Sequence, residues 1–392
     1  MISYHTYKHL AKDIPMPFAF VNLDLFNKNI QSVLSRSENL NIRIASKSVR
    51  SVPMLQHILS SNKRFIGIMA FHPLEAVALA KEGFSDILIG YPCVNEFYIK
   101  EILHAAQPIV IMVDSIAQLQ IIHQTAKKFN QIADVCLDID MSTDYPGLHF
   151  GVWRSSISTA SQAVDIYRWI QQHEHIRLRG VMGYEAQIAG VGNKIKGQFL
   201  KSHIISMLQN QSKKSVAKRR ESVVKGLQDA GAELAIVNAG GTGSIESSVL
   251  EPWVTEVTVG SAFYAPALFD NYQHFRHEPA AGFALEITRI PHPGIYTCHG
   301  GGYIASGQID KLKQPIPFLP IGIQPTSNEG FGEVQTPLHY NGSEQLHIGD
   351  PIFFRHAKAG ELMEHFNQLY LFEQDQLIKA VASYRGMGWS FG

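Results

Sequence analysis

The stretch Ile42-Arg43-Ile44-Ala45-Ser46-Lys47-Ser48 reads as a short apolar-alternating strand that ends on a lysine, with a helix starting near Val52-Pro53. A lysine at the C-terminal mouth of a strand can be held half-buried. Loss of water around the ammonium lowers a lysine's pKa and makes the amine a usable nucleophile. A surface lysine at a strand end has the same local spacing, so the rest of the chain has to decide between them.

Seven further apolar runs follow: Arg64–Phe71, Asp86–Tyr91, Pro108–Val113, Asp134–Ile139, Leu178–Tyr184, Leu234–Asn238 and Glu256–Val259. Helical spacing separates them: Leu74–Lys81 after Pro73, Glu96–Ala105, Ser115 to about Phe129, Ser156 to about Gln171, and a long polar-faced helix over about Asn193–Asp229. Near-continuous apolar strands fit a parallel sheet covered on both faces. Eight βα units match a closed (β/α)₈ barrel in count and size, whereas an open doubly wound sheet gives no reason for eight. After about Asn271 the chain turns rich in Pro and Gly, with alternating runs such as Phe283–Ile287 and Pro351–Phe354. The fold class expected is therefore α/β: a TIM-like barrel over residues 1–272, then a mainly antiparallel β-domain over 273–392. The β-like run Phe18–Leu23 precedes the series, and residues 1–17 are left open to pack with the β-domain.

Composition narrows the function. Lys+Arg and Asp+Glu are both 34 in 392 residues, which gives no support to nucleic-acid binding. The basic cluster Lys213, Lys214, Lys218, Arg219 and Arg220, with Glu221 alongside, reads as a solvated helix face. Cys93, Cys136 and Cys298 are odd in number and far apart, as in a reducing compartment without a disulfide framework. Residues Met1–Phe18 lack the apolar core of a signal peptide and no run is long enough to span a bilayer, so a cytoplasmic location and no membrane partner are expected.

In a barrel, function gathers at the C-terminal strand ends. Here those are Lys47, Phe71-His72, Tyr91-Pro92, Asp114-Ser115, Asp138 with Asp140, Tyr184-Glu185, Gly240-Gly241-Thr242-Gly243-Ser244, and Gly260-Ser261. The seventh and eighth ends are where barrels commonly bind phosphate, because glycines let backbone N–H groups approach the oxygens. A strand-end lysine across the mouth from a phosphate cradle suggests pyridoxal 5′-phosphate (PLP), whose aldehyde takes the amine while its phosphate anchors the far end. A barrel binding some other phosphorylated ligand, with Lys47 incidental, is the competing reading.

The motifs VNLDLFNKNI (Val21–Ile30), IASKS around Lys47, ILIGYP (Ile87–Pro92), LHFGV (Leu148–Val152), GVMGYEAQIAGVG (Gly180–Gly192), NAGGTGS (Asn238–Ser244) and RHAKAGE (Arg355–Glu361) carry a resemblance that covers nearly the whole chain. It is similar to the PLP enzymes of the alanine-racemase fold (fold-type III), and within them to the D-threonine aldolase and D-serine dehydratase branch, in the amino-acid deaminase/aldolase subgroup. The resemblance implies Lys47 as Schiff-base lysine and proton carrier. It implies Gly241, Thr242, Gly243, Gly260 and Ser261 as phosphate ligands, largely through backbone N–H, and Tyr184 beside the ring with Glu185 and Gln187 nearby. It further implies a small amino-acid substrate and a head-to-tail homodimer, with Gly300–Tyr303 and Gln335-Thr336 as candidates to line the site.

Two departures stand out. The branch tends to have an arginine before the Gly-Val of the fifth-strand motif, where this chain has His149. A guanidinium stays charged, whereas an imidazole can lose its proton near neutral pH. Metal-dependent relatives place a histidine and, two residues on, a cysteine or aspartate; here Lys358 follows His356, and an ammonium has no free lone pair. His356 with Glu361 holding Mn²⁺ or Zn²⁺ is one expectation, and His356 as a metal-free acid/base with Lys358 on a substrate carboxylate is the other. The activity implied is retro-aldol cleavage or dehydration of a small D- or β-hydroxy-amino acid. A racemase, or a non-catalytic PLP-binding protein, is the alternative.

Overall fold

The computed structural model describes residues 3–308 and 310–391. Contacts group the chain into two compact units that interleave in sequence. One comprises Val33–Lys47, Leu55–Gly260 and Phe391–Gly392, and the other Met1–Ser32, Ser48–Met54 and Ser261–Ser390. A single cut at residue 272 therefore does not separate them.

In the first unit eight parallel strands close a barrel: Asn41–Ala45, Phe65–Ala70, Ile87–Pro92, Ile109–Val113, Ala133–Asp138, Ile176–Gly183, Ile236–Ala239 and Glu256–Val259. These are the eight runs read from the sequence. Closure comes from the last strand pairing the first, with Val259 opposite Ile44. Strands such as Ile109–Val113 are buried along their whole length, because wall positions face either the interior or the outer helices. Leu88, Val110, Met112, Cys136, Met182 and Ile236 pack into one apolar cluster. One member of the opening strand breaks the apolar pattern. Arg43 is fully buried, pairs bidentately with Glu256 at 2.7 and 2.8 Å, and reaches Asp86 at 2.9 Å; Asn238 donates to the same Glu256 at 2.7 Å.

The helices start where local chemistry supplies a cap: Asn95 before Glu96–Leu103, Ser115 before Ile116–Lys128, and a Thr159/Gln162 capping box before Ala160–Gln171. The long helix begins at Phe199 and runs to Asp229. It starts later than the polar pattern suggests because Asn193 is buried and donates to Gln209 at 2.9 Å. Its basic cluster is only partly solvated, which corrects the sequence reading. Lys214 and Lys218 are exposed, but Arg219 donates to the Asp140 and Ser142 carbonyls at 2.6 and 2.9 Å, and Arg220 is buried in an ion-pair network.

The second unit is built on a nine-stranded, mainly antiparallel sheet. Its strand Phe18–Asn22 is interior, antiparallel to Ala281–His292 and parallel to Gln368–Glu373. Pro351–Arg355 pairs with Ala281–His292 and with Ile316–Leu319. Tyr7, from the helix Tyr4–Leu10, is fully buried and meets Phe353 and Phe20 edge-on, with centroids 5.2 and 5.3 Å away.

Candidate active site

Lys47 sits in the single turn Ser46–Ser48 that follows the first barrel strand. Ser46 and Ser48 are buried, while Lys47 is exposed. This corrects the half-buried expectation: the turn swings the residue off the barrel wall. What positions it is a phenol. Its ammonium donates to the Tyr91 hydroxyl at 2.6 Å and stands 5.3 Å from that ring's centroid. Tyr91 lies at the end of the strand Ile87–Pro92.

A guanidinium extends this contact across the mouth. Arg154 stands 6.0 Å from the Tyr91 ring centroid and 5.4 Å from that of Tyr184. Tyr184 in turn lies against Gly241, where an added Cβ would come 3.1 Å from Tyr184 Cε2 and 2.8 Å from Ala189 Cβ. Lys47, Tyr91, Arg154, Tyr184 and the glycine turn thus form one continuous line of contacts at the C-terminal ends of the barrel strands. Burial pushes the Tyr184 hydroxyl up to about 12, with Arg154 opposing and Glu185 and Tyr91 adding, so it stays protonated near neutral pH.

Sequence reading gave no role to Tyr91 or Arg154. Its candidate at the arginine position, His149, makes other contacts. It lies in the hairpin Thr143–Tyr145/Leu148–Phe150, bonds Asp144 through Nδ1 at 2.7 Å, and stacks on Trp153 at 3.7 Å. Asp138 is another group left without a role. It is buried at the end of the fifth barrel strand, and burial pushes its carboxyl up to about 7, with Asp114 and Asp140 adding and Arg154 and the Ile139 N–H opposing.

The GGTGS turn opens with Gly240 in the left-handed region at φ 86°, which a side chain would strain. The Gly241 N–H donates to Ser244 Oγ at 3.1 Å. Ser244 Oγ and Ser248 Oγ both donate to Glu185 Oε1, at 2.8 and 2.9 Å. Glu185 Oε2 pairs with Arg220 at 2.9 Å, and Arg220 also pairs with Glu251 and donates to the Gly183 carbonyl at 3.0 Å. Arg36 donates to the Thr242 carbonyl at 2.7 Å and pairs with Glu246 at 2.6 Å. The turn is therefore braced by a buried serine–glutamate–arginine network. Thr242 and Gly243 are buried within it; Gly260 follows the eighth strand, and Ser261 opens the short helix Ser261–Tyr264 of the second unit. Gln187 donates to the Met141 carbonyl at 2.6 Å. An exposed amine with a phenol partner, opposite a turn where a Cβ has no room, fits PLP.

In the second unit His356 follows the strand Pro351–Arg355 and is 2% exposed. Among the described residues neither ring nitrogen makes a hydrogen bond of full geometry, although the Ala281 backbone lies close enough to favour the charged ring. Burial, with Arg355 adding and the Ala281 backbone opposing, pulls its pKa down to about 3, so the ring is neutral. It faces a small recess with Tyr303, Lys358, Glu361, Leu362 and His365. Glu361 accepts from the Ser306 N–H at 2.9 Å, from the Ser306 hydroxyl, and from Lys358 Nζ at 3.2 Å; Lys358 also donates to Ser306 Oγ at 2.7 Å. The expectation of His356 and Glu361 as a metal pair does not fit this donor set, because both carboxylate oxygens are taken and an ammonium stands beside them. Among the described residues no group of three or more His, Cys, Asp or Glu side chains could hold a metal ion. Of the other residues expected to line a site, Tyr303 does line this recess, while Thr336 is fully buried and donates to the Gly300 carbonyl at 2.7 Å.

An eight-stranded barrel with a lysine on its first strand end and a glycine turn on its seventh defines a class of barrel enzyme folds. Residues 21–267 match the family described as alanine racemase, N-terminal domain, and the chain belongs to that family. The solved structures most like it include a D-threonine aldolase from Filomicrobium marinum, with TM-score 0.79, 16% identity and 96% of each chain covered. A D-threo-3-hydroxyaspartate dehydratase from Delftia sp. HT23 has TM-score 0.73 at 17% identity, over 95% of this chain and 98% of that one. An alanine racemase from Clostridium difficile 630 has TM-score 0.63 at 15% identity, over 94% and 99%. These likenesses carry the fold, the fold-type III barrel with its β-sheet unit. No curated protein matches the chain in sequence. Among the described residues no helix is long and apolar enough to cross a membrane.

Proposed function

We propose that the protein is a PLP-dependent lyase acting on a small D- or β-hydroxy-amino acid, by retro-aldol cleavage or by dehydration with loss of ammonia. The observation that carries this reading is the Lys47–Tyr91 hydrogen bond at 2.6 Å, on the same barrel end as the GGTGS turn. When bound, PLP supplies an aldehyde for the Lys47 amine and an electron-poor ring that stabilises negative charge at the substrate α-carbon. Lys47 then serves as the base that holds the proton of that carbon. Tyr91 orients the Lys47 nitrogen and offers it a hydroxyl partner as its proton count changes. Arg154 contributes a fixed positive charge over Tyr184, and Tyr184 keeps its hydroxyl hydrogen as a donor. The Glu185–Arg220 network holds the glycine turn rigid for the cofactor phosphate. Two of the similar structures are named as enzymes of β-hydroxy-amino acids, which favours a lyase over a racemase. A cytoplasmic head-to-tail homodimer is part of the same reading, and sedimentation of the purified protein checks the dimer.

The test begins with PLP uptake and borohydride reduction, followed by peptide mass mapping. The reduced cofactor should sit on Lys47, and Lys47→Ala should lose it. D-threonine, D-serine, D-threo-3-hydroxyaspartate and D-alanine then sort the reactions. Glycine with an aldehyde marks cleavage, a keto acid with ammonia marks dehydration, and inversion alone marks a racemase. No PLP uptake, or a label on another lysine, would sink the proposal.

A further inference from the structure

The recess around His356 contains a neutral imidazole that makes no hydrogen bond of full geometry among the described residues and has the Ala281 backbone near it, walled by a carboxylate that an ammonium already neutralises. Buried polar atoms almost always have a partner, so an imidazole short of partners points to a missing ligand group. The recess has a volume of about 10 Å³, room for one oxygen-sized group. The imidazole offers one N–H and one lone pair. Only a group that both donates and accepts, such as a hydroxyl or a water molecule, can answer either side of that ring.

A divalent ion answers the recess poorly. It would take the imidazole lone pair but needs further donors, and hard or borderline ions draw these from carboxylates, thiolates and imidazoles. Glu361 is the carboxylate lining the recess. Ser306 holds it through the backbone N–H at 2.9 Å and through the hydroxyl, and Lys358 holds it at 3.2 Å. To gain Glu361 an ion would have to push aside Lys358 and then sit beside its positive charge. A variant of a D-threo-3-hydroxyaspartate dehydratase is known in a metal-free form, so a metal requirement is a real question for this architecture.

We propose that Lys358 is the built-in cation of this recess: its ammonium takes the place of a divalent ion, and the recess receives a single hydroxyl or water oxygen between Lys358 and His356. The inference rests on this recess alone and is measured without turnover.

The experiment titrates the purified, chelator-treated protein with Co²⁺ and Zn²⁺, following heat, bound metal and the visible and near-ultraviolet spectrum of cobalt. The wild type is expected to show no stoichiometric site that His356→Ala removes. Lys358→Cys is expected to gain one cobalt per chain, with thiolate-to-cobalt absorption that disappears when His356→Ala is added. Melting curves keep misfolding apart from loss of binding, and the Lys358 side chain is 43% exposed, a position that tolerates the change. One metal ion bound by the wild type and lost in His356→Ala would overturn the inference. So would a folded Lys358→Cys protein that gains nothing, since the ammonium would then not be what keeps the ion out. Neither result bears on PLP uptake at Lys47, so the two readings fail separately.

Discussion

The Lys47 ammonium donates to the Tyr91 hydroxyl at 2.6 Å, joining the end of the first barrel strand to the end of the third. The lysine is exposed, and this bond helps to fix where its nitrogen points. Tyr91→Phe keeps the ring and removes the partner. PLP should still bind, while kcat should fall about 10- to 100-fold, at or below the usual range for a positioned proton-transfer group. Steady-state kinetics beside a PLP titration separates the two effects, and an unchanged kcat would remove Tyr91 from the proposal.

Arg154 is expected to matter more than His149 for holding the cofactor. Its guanidinium stands over Tyr184 at 5.4 Å, a contact worth roughly 0.5–2 kcal/mol. Arg154→Met should therefore weaken PLP binding by about 2- to 30-fold in a fluorescence titration. His149→Ala loses an ion pair to an exposed Asp144 and should cost at most about 1 kcal/mol, roughly fivefold. The reverse order would restore His149 to the role the sequence suggested.

Arg220 stands between two buried carboxylates, Glu185 and Glu251, and all three side chains are at most 9% exposed. Burial raises the Glu251 carboxyl, with Arg220 opposing, so removing the arginine leaves poorly compensated charge. Arg220→Met should destabilise the fold by about 3–5 kcal/mol in urea denaturation. Ser244→Ala should cost less, on the order of 1 kcal/mol, while loosening the phosphate turn. Equal and small losses in both would show that the network is not what holds the turn.

Asp138 makes stability depend on pH in an unusual direction for a carboxylate. Its folded value of about 7 lies above the ordinary 3.8, so the folded chain binds its proton more tightly than the unfolded chain does. This contribution is complete below about pH 4 and is lost as pH rises through 7. Asp138→Asn should therefore be more stable than wild type at pH 8, with the gap closing toward pH 4. Denaturation midpoints across that range test it, and a gap that widens toward acid would reverse the assignment.

The barrel was legible because its signal is local and repeated. The eight strands are short, mostly apolar runs, several of them bounded by Gly, Pro or a helix cap, and Pro73 and Ser115 announce their helices. The positions of Lys47 and Gly240–Ser244 after barrel strands were legible because strand-end position and glycine density are both properties of neighbouring residues. The contacts between them were not. Arg154 lies in an irregular loop after the hairpin, and nothing in GVWRS indicates that its guanidinium reaches Tyr91 and Tyr184. Arg43 sits in a run that otherwise reads as apolar, and its burial depends on Glu256 at the far end of the barrel sequence. Glu185 is adjacent to a residue already singled out, yet its partners Ser244, Ser248 and Arg220 come from two later segments.

The placement of Phe18–Asn22 in the interior of the nine-stranded sheet has a consequence for how the chain is made. One of its edges is covered by residues 281–284 and the other by residues 369–372. During synthesis the segment leaves the ribosome before either neighbour, with Phe18 and Phe20 exposed, and waits until residues 281–284 and 369–372 follow. A chain stopped short of residue 369 would carry that sticky edge permanently, so truncation at the far end should expose the beginning.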